Sequence, residues 1–99
     1  MLQIHKTTEN AKTTLVPEGR LDTLTAPELE SAIEASLDGT QELVLDLEKL
    51  EYISSAGLRV LLIAQKKMSK QGEMKLIHVS DTIMEIFEVT GFTDILTIQ

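Results

Sequence analysis

The stretch LDLEKLEYISSAGLRVLLIAQ, residues 45–65, is apolar at both ends and holds Ser54-Ser55-Ala56-Gly57 at its centre. The run that leads into it, ELVLDL at 42–47, is apolar on both faces up to Asp46. Such a run is the pattern of a parallel strand buried on both sides. A helix is expected from about Ala56 to Gln71. Leu58, Leu61, Leu62 and Met68 mark its core stripe, and Val60, Ile63 and Ala64 widen it. Lys66, Lys67 and Lys70 fall in its last turns, where they complement the negative helix end. A serine hydroxyl between two buried elements has three uses: helix cap, nucleophile, or attachment point for a phosphate.

Outward from this stretch the elements alternate. LQIHKTT at 2–8 and KTTLVPE at 12–18 read as strands, and ENA between them reads as a hairpin turn. Pro17 cannot donate to a ladder, so the second strand should end near it or lie at an irregular edge. In GRLDTLTAPELESAIEASLDG, residues 19–39, Thr25 and Glu28 form a capping-box pattern, and Pro27 suits a first helical turn. Leu29, Ala32, Ile33 and Leu37 make one apolar stripe, and Gly39 suits the stop. MKLIHV at 74–79 reads as another buried strand. SDTIMEIFEVTGF at 80–92 reads as a helix with Ser80 as N-cap and Gly91 as stop. DILTIQ, residues 94–99, reads as a closing strand.

The expected order is β-β-α-β-α-β-α-β. Strands alternating with helices require crossovers, so the fold class is α/β with a mixed, mostly parallel sheet and helices packed on it. The opening hairpin supplies the antiparallel edge. One domain over residues 1–99 fits the length. In such sheets functional residues gather at the carboxyl ends of the strands. Here those loops are GRLDT, EKLEYISS and the link before Ser80.

Composition excludes several classes. With no cysteine there is no disulfide, thiolate metal site or cysteine nucleophile. His5 and His78 fall in separate expected strands, so a metal site would have to rely on carboxylates, and none is expected. A net charge of −7 with one Tyr, two Phe and no Trp argues against direct nucleic-acid binding. It suits a protein partner with a basic surface. The longest apolar run, Val60 to Ala64, is far too short for a membrane span, and no leader pattern precedes the first strand. A cytoplasmic location is expected.

The chemistry narrows further. A serine nucleophile needs a base, usually histidine, and no G-x-S-x-G elbow is present. A nucleotide site would use the free N–H groups at the helix start, but no P-loop or G-x-G-x-x-G accompanies them. An aspartyl phosphoacceptor at Asp46 would need an acidic pair after the first strand and a lysine after the last, and neither is there. The plainest reading of a serine before a helix is a cap. That explains one serine, and less well two followed by Ala-Gly.

LVLDLEKLEYISSAGLRVLL, with GRLD upstream, resembles the STAS domain in its stand-alone bacterial form, the anti-sigma factor antagonists. The matching features are Asp46-Leu47 at the strand end, then Ile53-Ser54-Ser55-Ala56-Gly57-Leu58. The resemblance implies a partner switch without enzymatic activity or a cofactor. The unphosphorylated antagonist binds an anti-sigma factor serine kinase and frees the sigma factor. Phosphorylation breaks that complex, and a PP2C-type phosphatase resets it. The resemblance places the acceptor at Ser55, with Ser54 as second choice, and Asp22 near the kinase contact. The expected partner surface comprises Asp22, Thr23, Asp46, Ser54, Ser55, Ala56, Gly57 and Arg59. Alternatives are a STAS regulator of a non-sigma partner, such as a phosphatase or stressosome-like complex, a small-ligand or nucleotide module, a hydrolase, and a transporter lobe.

Overall fold

The computed structural model describes residues 2–99. Strand β1 (Gln3–Glu9) and strand β2 (Lys12–Leu21) form the expected antiparallel hairpin, closed by Glu9 opposite Lys12. Asn10 in the turn takes φ 57°, a left-handed conformation that asparagine tolerates well.

β2 runs past Pro17 to Leu21, longer than its proline suggested. Its parallel partners explain why the proline is harmless. Strand β3 (Glu42–Asp46) pairs with Lys12 to Leu15, and strand β4 (Leu50–Ile53) pairs with Gly19 to Leu21. Pro17 falls in the interval between the two ladders, and the register shifts between Gly19 and Arg20.

The sheet order is β1-β2-β3-β5, with strand β5 (Glu73–Ile77) parallel to β3 and β4 paired only to β2. Thus β2, β3, β4 and β5 all point the same way, and their carboxyl ends share one end of the sheet. Helix α1 (Ala26–Ser36) connects β2 to β3, helix α2 (Ser55–Met68) connects β4 to β5, and helix α3 (Asp81–Thr90) follows β5. The expected order of strands and helices is therefore present, with a short additional strand, β4, inside the segment read as a loop. The expected closing strand is a single parallel bridge, Leu76 to Ile98, because a 3-10 turn at Phe92–Asp94 takes up the chain after α3.

The core lies between the sheet and the helices. Leu15, Leu21, Leu43, Leu45 and Leu76 from the strands meet Leu29, Leu61, Ile83 and Phe87 from the helices, all 0% exposed. Burying such side chains contributes roughly 1.5–3 kcal/mol each before entropy is counted. α1 buries Leu29 and Ile33 as expected, while Ala32 and Leu37 are only partly covered. α3 starts on the Ser80 hydroxyl, which accepts from Ile83 N at 3.2 Å, and stops at Gly91 with φ 80°. Both ends match the sequence reading.

Candidate functional site

The expected site residues come from the loops at one end of the sheet. α2 begins one residue earlier than expected, with Ser54 as its N-cap residue in extended conformation and Ser55 as its first helical residue. The two serines differ sharply. Ser55 is exposed. The Ser54 hydroxyl oxygen is buried and makes no hydrogen bond among the described residues. Neither side chain caps the helix, so the plain cap reading of this serine pair is not what the fold uses. Among the described residues the first amides of α2 find no side-chain acceptor, which leaves the positive end of the helix facing outward near Ser55.

Gly57 fixes how deeply α2 sits. A Cβ there would meet Leu21 Cγ at 2.7 Å and Ile53 Cγ1 at 2.9 Å. Only a residue without a side chain lets the first turn of α2 lie against the ends of β2 and β4. The Ser54 N–H then donates to the Leu21 carbonyl at 2.9 Å. The Asp22 loop and the serine loop are thereby held side by side.

Asp22 organises its own loop. Its Oδ1 accepts from Leu24 N at 3.0 Å, Thr25 N at 3.1 Å and the Thr25 hydroxyl at 3.2 Å. The Thr25 backbone hydrogen bond is the main reason its carboxyl titrates below the usual aspartate value, with Leu24 N–H, the Thr25 hydroxyl and Arg20 adding to it. Thr25 is the N-cap residue of α1, but its hydroxyl donates back to Arg20 O at 2.7 Å and does not cap. The capping box expected from Thr25 and Glu28 is therefore absent, because Asp22 and Arg20 compete for the same hydroxyl. The tight turn pushes Leu24 into solvent at 86% exposure.

Thr23, Ala56 and Arg59 meet at an open groove of about 360 Å³ between α1 and α2, lined also by Ala26, Glu30 and Ile63. Thr23 and Arg59 are exposed, Ala56 half-buried. Two residues escaped the sequence reading. Leu24 is an exposed leucine in the Asp22 loop, and Tyr52 on β4 carries Arg20 stacked 4.3 Å from its ring centre. An apolar residue between two threonines in a polar loop was the available signal for Leu24.

Asp46 is engaged differently. Its Oδ1 accepts from Glu48 N at 3.0 Å and pairs with His78 Nδ1 at 2.9 Å. Its hydrogen bonds go to the β3–β4 turn and the β5–α3 link, not to either serine. His78 lies just beyond β5 and not inside a strand, with φ 55°. The Asp46 hydrogen bond and charge raise its pKa above the usual histidine value, and Glu48 adds a little. Among the described residues, ligand atoms of Asp46, Glu48 and His78 lie within 4.8 Å of one another, a group that holds a histidine as well as carboxylates.

The model of the STAS domain family matches residues 3–99. BtrV of Bordetella bronchiseptica, provisionally named an anti-sigma factor antagonist, is 40% identical over 83 residues, covering 82% of this chain and 72% of that protein. The anti-sigma-B factor antagonist of Staphylococcus aureus is 32% identical over 100 residues, covering 99% of this chain and 93% of its own. The crystal structure of an anti-sigma factor antagonist from Mycobacterium paratuberculosis superposes with a TM-score of 0.90 at 24% identity, covering 99% of this chain and 85% of that one. No helix among the described residues is long and apolar enough to cross a membrane.

Proposed function

We propose that this chain, which belongs to the STAS domain family, is an anti-sigma factor antagonist that is switched by phosphorylation of Ser55. The role rests on the two sequence relatives and their names. The observation that carries the switch is the contrast within the serine pair: Ser55 is exposed at the first turn of α2, while the Ser54 hydroxyl is buried. A kinase can reach one hydroxyl and not the other.

A phosphate on Ser55 brings close to two negative charges to the positive end of α2. The fold tolerates this, since the helix dipole and uncapped amides favour an anion. An interface does not. Burying a phosphate against a partner shaped for a neutral serine costs several kcal/mol, and roughly 4 kcal/mol already weakens a complex a thousandfold. The partner surface in this reading comprises Asp22, Thr23, Asp46, Ser55, Ala56 and Arg59, with Gly57 and Ser54 setting its shape. The partners are an anti-sigma factor serine kinase and a PP2C-type phosphatase.

The test is calorimetric titration of the unphosphorylated chain, and of Ser55→Asp, into its partner kinase. Tight binding of the first and a large loss in the second is expected. Equal binding of both would remove the switch. The groove beside Ser55 favours a second reading, a small-ligand module. A thermal shift produced by a nucleotide, abolished by Arg59→Ala, would favour it.

A further inference from the structure

We propose that Asp46, Glu48 and His78 form a surface site for a divalent transition cation of the zinc class. The three residues come from two segments far apart in sequence, brought together by strand pairing. Asp46 and Ile77 are register partners on the parallel strands β3 and β5, so Asp46 and His78 leave the sheet side by side at its carboxyl end. That is the end where ligands bind in open sheets of parallel strands. Glu48 joins them because Asp46 Oδ1 holds the turn through Glu48 N.

One ligand atom from each residue lies within 4.8 Å of the others. Donors on a single tetrahedral zinc, bound at about 2.0–2.2 Å, stand roughly 3.3 Å apart. Closure therefore asks for a shift on the order of 1.5 Å at most, which the exposed side chains of Glu48 and His78 can make. Asp46, with its side chain 17% exposed, is the fixed member.

A plain ion pair between Asp46 and His78 accounts for two of the three groups. It leaves the Glu48 carboxylate, which enters no salt bridge among the described residues. Two carboxylates facing one imidazole carry more negative charge than a histidine can offset. A dication offsets both. One nitrogen and two oxygen donors suit zinc, nickel or copper; magnesium and calcium prefer all-oxygen sites with more ligands. Three protein donors leave a coordination position for water or for a group from a partner molecule. The site shares its end of the sheet with the Ser55 loop, but it does not depend on the phosphorylation reading.

The experiment is calorimetric titration of zinc chloride into the full chain at pH 8, with magnesium chloride as the comparison cation. The variants are Glu48→Gln, His78→Asn and His5→Gln. Asparagine at 78 keeps a residue that accepts the left-handed backbone. His5→Gln removes the other histidine–carboxylate pair, His5 with Glu18. Thermal melts confirm that each variant is folded. One zinc per chain is expected, weakened at least about tenfold by Glu48→Gln and by His78→Asn, unchanged by His5→Gln. Absence of saturable one-to-one binding, wild-type affinity in either Glu48→Gln or His78→Asn, or magnesium bound as tightly as zinc would overturn the site.

Discussion

The Ser54 N–H donates to the Leu21 carbonyl at 2.9 Å, one peptide before Asp22. This bond ties the start of α2 to the end of β2. It places an exposed serine next to a loop whose own hydrogen bonds expose Leu24. The geometry of the candidate interface follows from that junction.

The junction depends on Gly57. Gly57→Ala pushes a methyl into Leu21 and Ile53, both buried and closely packed. A loss of about 1–3 kcal/mol in urea unfolding is expected, with partner binding reduced as the serine loop shifts. A variant as stable as the wild type would mean that α2 can move away at no cost.

Two serines at helix starts should behave oppositely. Ser80→Ala removes a working cap and should cost about 1 kcal/mol. Ser54→Ala removes a buried hydroxyl with no partner among the described residues, so it should be neutral or slightly stabilising. Thermal melts of the two variants side by side check the contrast.

The Asp22 carboxyl should titrate below 3.8 by NMR, since the Thr25 amide and its other donors favour the charged form. A depressed folded-state pKa stabilises the fold above the unfolded value, and that stabilisation is lost as pH falls through the folded value. Protection of the Leu24 and Thr25 amides, measured against their intrinsic exchange rates, should therefore fall in that acid window and at neutral pH in Asp22→Ala.

Arg59 lies four residues after Ser55, so the two share one face of α2. It is exposed and enters no salt bridge among the described residues. Arg59→Ala should leave the melting temperature unchanged and weaken the partner complex roughly tenfold or more. Wild-type affinity would place the contact elsewhere.

Much of this was legible in the sequence, for physical reasons. The apolar stripe of α1, that of α2 except for Leu62, which is only half-buried, the Ser80 cap and the Gly91 stop are local signals, and each acts locally. The serine loop was legible as a junction between two buried elements. β4 was hidden because only Leu50 and Ile53 of its four residues are buried, while Glu51 and Tyr52 face solvent. The closing strand was over-read because DILTIQ has strand chemistry but the Phe92–Asp94 turn leaves it reach for one bridge. Thr25 misled because its hydroxyl answers to Arg20 and Asp22, a tertiary competition no spacing reveals. Asp46 beside His78 depends on β3–β5 register, which sequence distance conceals.

The measurement that tests the switch most directly is peptide mass spectrometry after incubation with ATP and the partner kinase, on wild type and Ser55→Ala. One phosphate mapped to Ser55 in the wild type, and none in the variant, is the predicted result. A phosphate on Ser54, or no phosphate with an active kinase and a folded chain, would contradict it.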